Sequence, residues 1–223
     1  MSEGPYAASE LLRLLEAYNA WLWPAQLPAL ALGAWLTWVA WRGTATQFRV
    51  ALGLLGLVWL WIAWALLDQR LAPLDPAAPY GAYGSAIEGG LLIALATRFG
   101  ADLGGASSLR RLIGAGFVDT SVTVLPFAAP LFAMVLSADG DPHWRAAAVF
   151  GVTPDATALA TLGLVVALGR HRWLAVIPLL WCLQSGAMLW ELGFGHAWVS
   201  PVLAAGALVV LLWDAAPRST RNM

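Results

Sequence analysis

Long apolar runs separated by short polar or proline-broken connectors recur along the chain. The first twenty residues differ from the rest. Leu11, Leu12, Leu14, Leu15 and Tyr18 fall largely on one side of a helix, with Glu10, Arg13 and Glu16 interspersed, a pattern that predicts an interfacial amphipathic helix within residues 1–20. Trp21 and Trp23 follow, at the level where a headgroup boundary is expected, before Pro24 and Pro28. Seven apolar runs come next, over about residues 25–41, 48–67, 79–99, 112–136, 153–169, 173–192 and 198–213. Their lengths match helices that cross a hydrocarbon core of ~30 Å at ~1.5 Å per residue. Pro73, Pro76 and Pro79 break the chain after the second run, and Pro126 and Pro130 predict a kink or tilt in the fourth. Thr153-Pro154-Asp155 has the form of a helix start, which sets the beginning of the fifth. The predicted fold is all-α: one integral membrane bundle of seven transmembrane helices with an N-terminal interfacial amphipathic helix, spanning 1–223 as a single domain.

Composition agrees and narrows the chemistry. Of the 223 residues, 60% are apolar and 11% charged, far from the quarter charged that is usual in soluble domains. All twelve cationic side chains are arginine, so lysine Schiff-base chemistry is excluded. The one cysteine, Cys182, lies in an apolar run, which excludes a disulfide framework and a paired-thiol metal motif. Glu3 and Glu10 precede the first long apolar run, so no cleavable signal peptide is expected. The arginines are distributed unevenly. Arg42, Arg49, Arg98, Arg110, Arg111, Arg170, Arg172, Arg218 and Arg221 fall on one side of a seven-crossing chain; Arg13, Arg70 and Arg145 fall on the other. The positive-inside rule then predicts a multi-pass membrane protein with its N-terminus outside and its C-terminus cytoplasmic.

A carboxyl group at mid-membrane is costly, and Glu88 sits at the centre of the third run. Gly81, Gly84 and Ser85 share its helix face and leave room for a close helix, water or a solute. The fourth run supplies Asp119, with Thr123 one turn on, and Pro126 releases the carbonyl of Val122. The sixth places Trp181, Gln184, Ser185 and Met188 on one face. The expected substrate or ion path is therefore Glu88, Asp119, Thr123, Gln184, Ser185 and Trp181. Because no intramembrane Lys or Arg is available, Glu88 is expected to be protonated or water-exposed rather than ion-paired. Asp155 reads instead as a helix-dipole residue at the start of the fifth helix. His143 and His196, with Asp139, Asp141 and Glu191 nearby, lack metal-ligand spacing, and His171 lies between two arginines as a residue facing lipid phosphate. No catalytic residue, metal or cofactor is expected.

Several short motifs add a resemblance. Ala17-Tyr18-Asn19, Trp23-Pro24-Ala25-Gln26, Thr153-Pro154-Asp155-Ala156-Thr157, Ala160-Thr161-Leu162-Gly163, Ile177-Pro178-Leu179-Leu180-Trp181-Cys182 and Ser185-Gly186-Ala187 together resemble a family of bacterial polytopic membrane proteins defined by a domain of unknown function. The likeness runs from the N-terminus to the sixth run and leaves out residues 97–145. It implies an inner-membrane protein and transfers no site residue. Two functions follow as expectations: a small-solute or proton-coupled permease using Glu88, or a non-enzymatic structural or assembly subunit of a membrane complex. Expected partners are the lipid bilayer and a membrane protein or second copy of the chain, with no nucleic acid.

Overall fold

The computed structural model describes residues 8–98, 107–126, 147 and 149–213. The later part of the expected fourth span with Pro130, the loop residues Asp102, Asp139, Asp141, His143 and Arg145, and the tail arginines Arg218 and Arg221 lie outside the described residues, as does Glu3. The described chain is all-helical, with no strand. Its α-helices are α1 (Ala8–Leu22), α2 (Gln26–Arg42), α3 (Ala45–Ile62), α4 (Ala78–Arg98), α5 (Ser108–Asp119), α6 (Pro154–Leu168), α7 (Val176–Glu191) and α8 (Val199–Trp213).

Two of these helices end in wider, π-helical turns. Ala63–Leu71 continues α3 and Thr120–Val124 continues α5. In both, one further residue separates the π segment from a proline, Pro73 or Pro126. Ala72 N–H donates to the Leu67 carbonyl, and Leu125 N–H donates to that of Thr120, five residues back in each case. A proline has no N–H to continue the regular ladder, and the preceding turn relaxes to the wider hydrogen-bond spacing.

The core is organised around α6. Nearly every residue from Pro154 to Leu168 is buried, because α2, α3, α5, α7 and α8 all pack against it. These form a ring, which α4 completes by lying on α3 and touching α7. Two glycine pairs allow the tightest crossings. A Cβ on Gly56 or Gly89 would lie 2.7 Å from the other's carbonyl oxygen, and one on Gly114 or Gly163 would lie 2.5–2.6 Å from it. Backbones therefore touch at the α3–α4 and α5–α6 crossings, in the manner of small-residue contacts between close-packed helices.

Arginines close one end of the bundle. Arg49 Nε donates to the Ala96 carbonyl (3.2 Å), Arg110 Nη1 to that of Gly169 (3.4 Å) and Arg111 Nη2 to that of Gly43. Each caps the carbonyl end of a neighbouring helix, where cations are favoured. Arg42, Arg98, Arg170 and Arg172 lie at the same end, which carries no Asp or Glu among the described residues. At the opposite end Arg70 lies over the rings of Tyr18 and Trp21, and Trp21 stacks on Trp61. There α1 is seated against the bundle, with Tyr18 and Leu22 buried beside Ala65, Leu66 and Val152.

By length and composition, two helical stretches are long and apolar enough to cross a membrane: Ala45–Leu71, of 27 residues, and Arg172–Glu191, of 20, the latter opening with a 3-10 turn. The seven apolar runs all enter helices, but α6 and α8 have only 15 residues each. Helix α6 is enclosed by other helices along its whole length.

Candidate functional site

Gly81, Ser85, Glu88 and Leu92 make one buried face of α4, as the spacing i, i+4, i+7 requires. Glu88 and Ser85 are both 0% exposed. Neither Glu88 carboxyl oxygen has a hydrogen-bond partner among the described residues, and the same holds for Ser85 Oγ. Gly81 admits Trp181 of α7: a Cβ there would sit 2.9 Å from the far edge of the indole. Glu88 is turned by about 100° from its neighbour Gly89. Since Gly89 faces α3, Glu88 falls on the side of the helix nearer to α7.

Helix α7 brings two more polar groups. Trp181 Nε1 and Ser185 Oγ are buried and without a hydrogen-bond partner among the described residues. Trp181 meets Trp59 of α3 edge-on, with ring centroids 6.5 Å apart. The two indoles differ in their bonding. Trp59 Nε1 donates to Thr161 Oγ1 (2.9 Å), and Thr161 and Thr157 each donate back to the carbonyl four residues earlier (2.8 and 2.9 Å). That threonine row on α6 is fully satisfied, whereas the Trp181–Ser185 row is not.

Asp155, at the second position of α6, faces this row. Its carboxyl approaches Ser185 and also the buried thiol of Cys182. Its Oδ1 is buried and has no hydrogen-bond partner among the described residues. A helix N-terminus accounts for an acid here, but not for an acid turned toward a neighbouring helix with an unbonded oxygen.

Comparison of the chain with protein-family models, curated proteins and solved structures finds no match. The site is therefore read from its own chemistry.

Of the expected path residues, the structure brings Glu88, Trp181 and Ser185 to the interior around the α4–α7 contact. Asp119, Thr123 and Gln184 are exposed on outward faces and do not join them. Thr123 Oγ1 turns back to its own helix, donating to the Asp119 carbonyl (2.7 Å) and reaching its carboxylate at 3.4 Å. The expected path is thus not assembled: Glu88 and Ser85 are buried on α4, Ser185 is buried on α7, and Trp181 packs over Gly81. The error has a geometric source: residues such as Gln184 and Ser185 adjoin in sequence yet point about 100° apart on a helix.

Outside the helical runs, burial and then Arg170 lower the pKa of His171, and burial alone lowers that of His196. No group of three or more His, Cys, Asp or Glu with metal-binding geometry occurs among the described residues.

Proposed function

We propose that this is a multi-pass bacterial inner-membrane protein that moves protons, alone or coupled to a small solute, with Glu88 as the working carboxyl. The observation that carries the reading is the Glu88 side chain: fully buried among helices, with both oxygens unbonded among the described residues. An acid held this way is stable only if it is neutral or exchanges its proton with water or a guest, and such intramembrane acids mark ion and proton pathways. The outside of the bundle supports a bilayer setting. Val50, Leu54, Leu57, Leu60 and Trp64 form an exposed apolar stripe along α3, and Val176, Leu180, Leu183 and Trp190 line the outside of α7. A helix apolar on both its inner and outer faces fits a hydrocarbon solvent better than water. The arginine-capped end then faces the cytoplasm.

The test is proton flux in vesicles containing the purified full chain, loaded with a pH-sensitive dye and driven by a potassium diffusion potential. The wild-type chain is expected to carry protons, and Glu88→Gln to lower the flux by about a hundredfold or more, the scale of a positioned general acid–base group. Equal fluxes from the two would overturn the assignment.

A second reading, a structural or assembly subunit, draws on Asp119, Thr123 and Gln184. All three lie on outward faces, where a partner helix would satisfy the Asp119 carboxylate and the Gln184 amide; Thr123 Oγ1 already donates within its own helix. A stoichiometric membrane partner that is retained through purification and lost in Gln184→Leu would favour it.

A further inference from the structure

Exposed aromatic residues stand at both ends of the bundle. Trp173 and Trp190 bracket α7, Trp198 and Trp213 bracket α8, and all four are half-exposed or more. The two helices run antiparallel, because Gly186 in the later part of α7 meets Pro201 in the first turn of α8. Trp190 and Trp198 therefore share one end, and Trp173 and Trp213 share the arginine-capped end. Between them the exposed residues of α8, such as Val202, Leu208, Val209 and Leu212, are all apolar. Those of α7 are apolar except for the neutral amide of Gln184.

Tryptophan rings favour the headgroup level, so the separation of the two belts measures the apolar thickness that this surface matches. At ~1.5 Å per residue, and ~2.0 Å through the 3-10 turn that opens α7, Trp173 and Trp190 lie about 27 Å apart along the axis. Trp198 and Trp213 lie only about 22 Å apart. Charges give the same measure elsewhere. The exposed apolar stripe of α3 ends at Arg49 and at Asp68, about 28 Å apart and less through the wider π turns. On α4 the exposed Tyr80 marks one end, and at the other Arg49 Nε donates to the Ala96 carbonyl (3.2 Å). That contact holds a guanidinium at a level about 24 Å along the helix from Tyr80 and keeps it from reaching outward. Tilting any of these helices shortens its projected thickness further. An ordinary hydrocarbon core is ~30 Å thick.

We propose that the outer surface of this protein is matched to a thin bilayer and selects phospholipids with short acyl chains as its immediate neighbours. Four helices on different sides of the bundle agree on the narrow band, which makes it a property of the whole surface. A longer-chain bilayer must compress to meet belts this close, at a cost that grows with each ångström of mismatch, whereas short chains meet them unstrained. The inference rests on the bilayer setting proposed above and is independent of the role of Glu88. It does bear on that residue. Glu88 stands about 12 Å along α4 from Tyr80 and about 15 Å from Arg98, so a thin bilayer brings water close to the buried carboxyl from both sides.

Lipid competition on the full wild-type chain tests the match. Its tryptophan fluorescence is read in vesicles of dibrominated dioleoyl-phosphatidylcholine, which quenches exposed indoles. The brominated lipid is mixed in turn with dimyristoleoyl-, dipalmitoleoyl-, dioleoyl- and dierucoyl-phosphatidylcholine, a series of increasing chain length. A favoured lipid displaces the quencher from the protein and restores the fluorescence. The dimyristoleoyl or the dipalmitoleoyl lipid is expected to bind about twofold or more tightly than the dioleoyl lipid, and the dierucoyl lipid to bind weakest. Tightest binding by the dioleoyl or dierucoyl lipid, or equal binding by all four, overturns the short-chain match and leaves the bilayer setting in place. Absence of quenching in the brominated lipid alone overturns the bilayer setting as well.

Discussion

Trp59 and Trp181 meet edge to face and are chemically alike, yet one N–H is bonded within the bundle and the other is not. The difference separates a structural indole from one at the candidate site. Trp59→Phe removes a single buried hydrogen bond and keeps most of the ring's packing, because Thr161 still donates to Thr157. It is expected to cost about 1 kcal/mol, read as a small drop in thermal midpoint in detergent, with proton flux unchanged. A loss of flux as large as that of Glu88→Gln would show that Trp59 belongs to the path. At this scale Glu88 was legible from its position in an apolar run and from the small residues on its face. Asp155 was not, since a Thr-Pro-Asp helix start already explains an acid there. Only the tertiary structure shows that Ser185 and Cys182 of another helix approach it.

At the scale of elements, α6 shows how burial can exceed what a sequence pattern expresses. It has only 15 residues and hardly any polar face; every side is covered because five helices surround it. Its contact with α5 depends on Gly114 and Gly163, each set against the other's carbonyl. Gly163→Ala would place a methyl 2.6 Å from the Gly114 carbonyl oxygen and force the helices apart. We expect a loss of about 1–3 kcal/mol, the usual cost of overpacking, seen as a lowered unfolding midpoint in detergent. Gly116, with open space around its missing Cβ, serves as the control, and its Ala variant should unfold near the wild-type midpoint. The sequence located these helices within a few residues. The π-helical turns before Pro73 and Pro126 add what proline alone does not specify, the way in which the preceding turn widens.

For the molecule as a whole, charge and apolar surface are segregated along the bundle. Seven described arginines stand at one end, and Glu10, Glu16, Asp68, Asp75 and Glu191 lie toward the other. If the chain crosses the bilayer seven times, reporters fused after Leu109 and after Thr220 should both read cytoplasmic, and the protein should stay with the membrane through alkaline washing. A periplasmic signal after Thr220 would rule out an odd number of crossings, and release by the wash would remove the bilayer reading altogether.

The sequence by itself determined that the protein is all-helical, where its helices lie, how its arginines divide and that Glu88 is out of place in an apolar helix. These are local properties, carried by periodicity, capping residues and composition. The tertiary structure alone decided which polar residues meet. It turned Asp119 and Gln184 outward, buried Glu88 and Ser185 among helices and enclosed α6, because rotation and crossing of helices are set by packing between segments far apart in the chain.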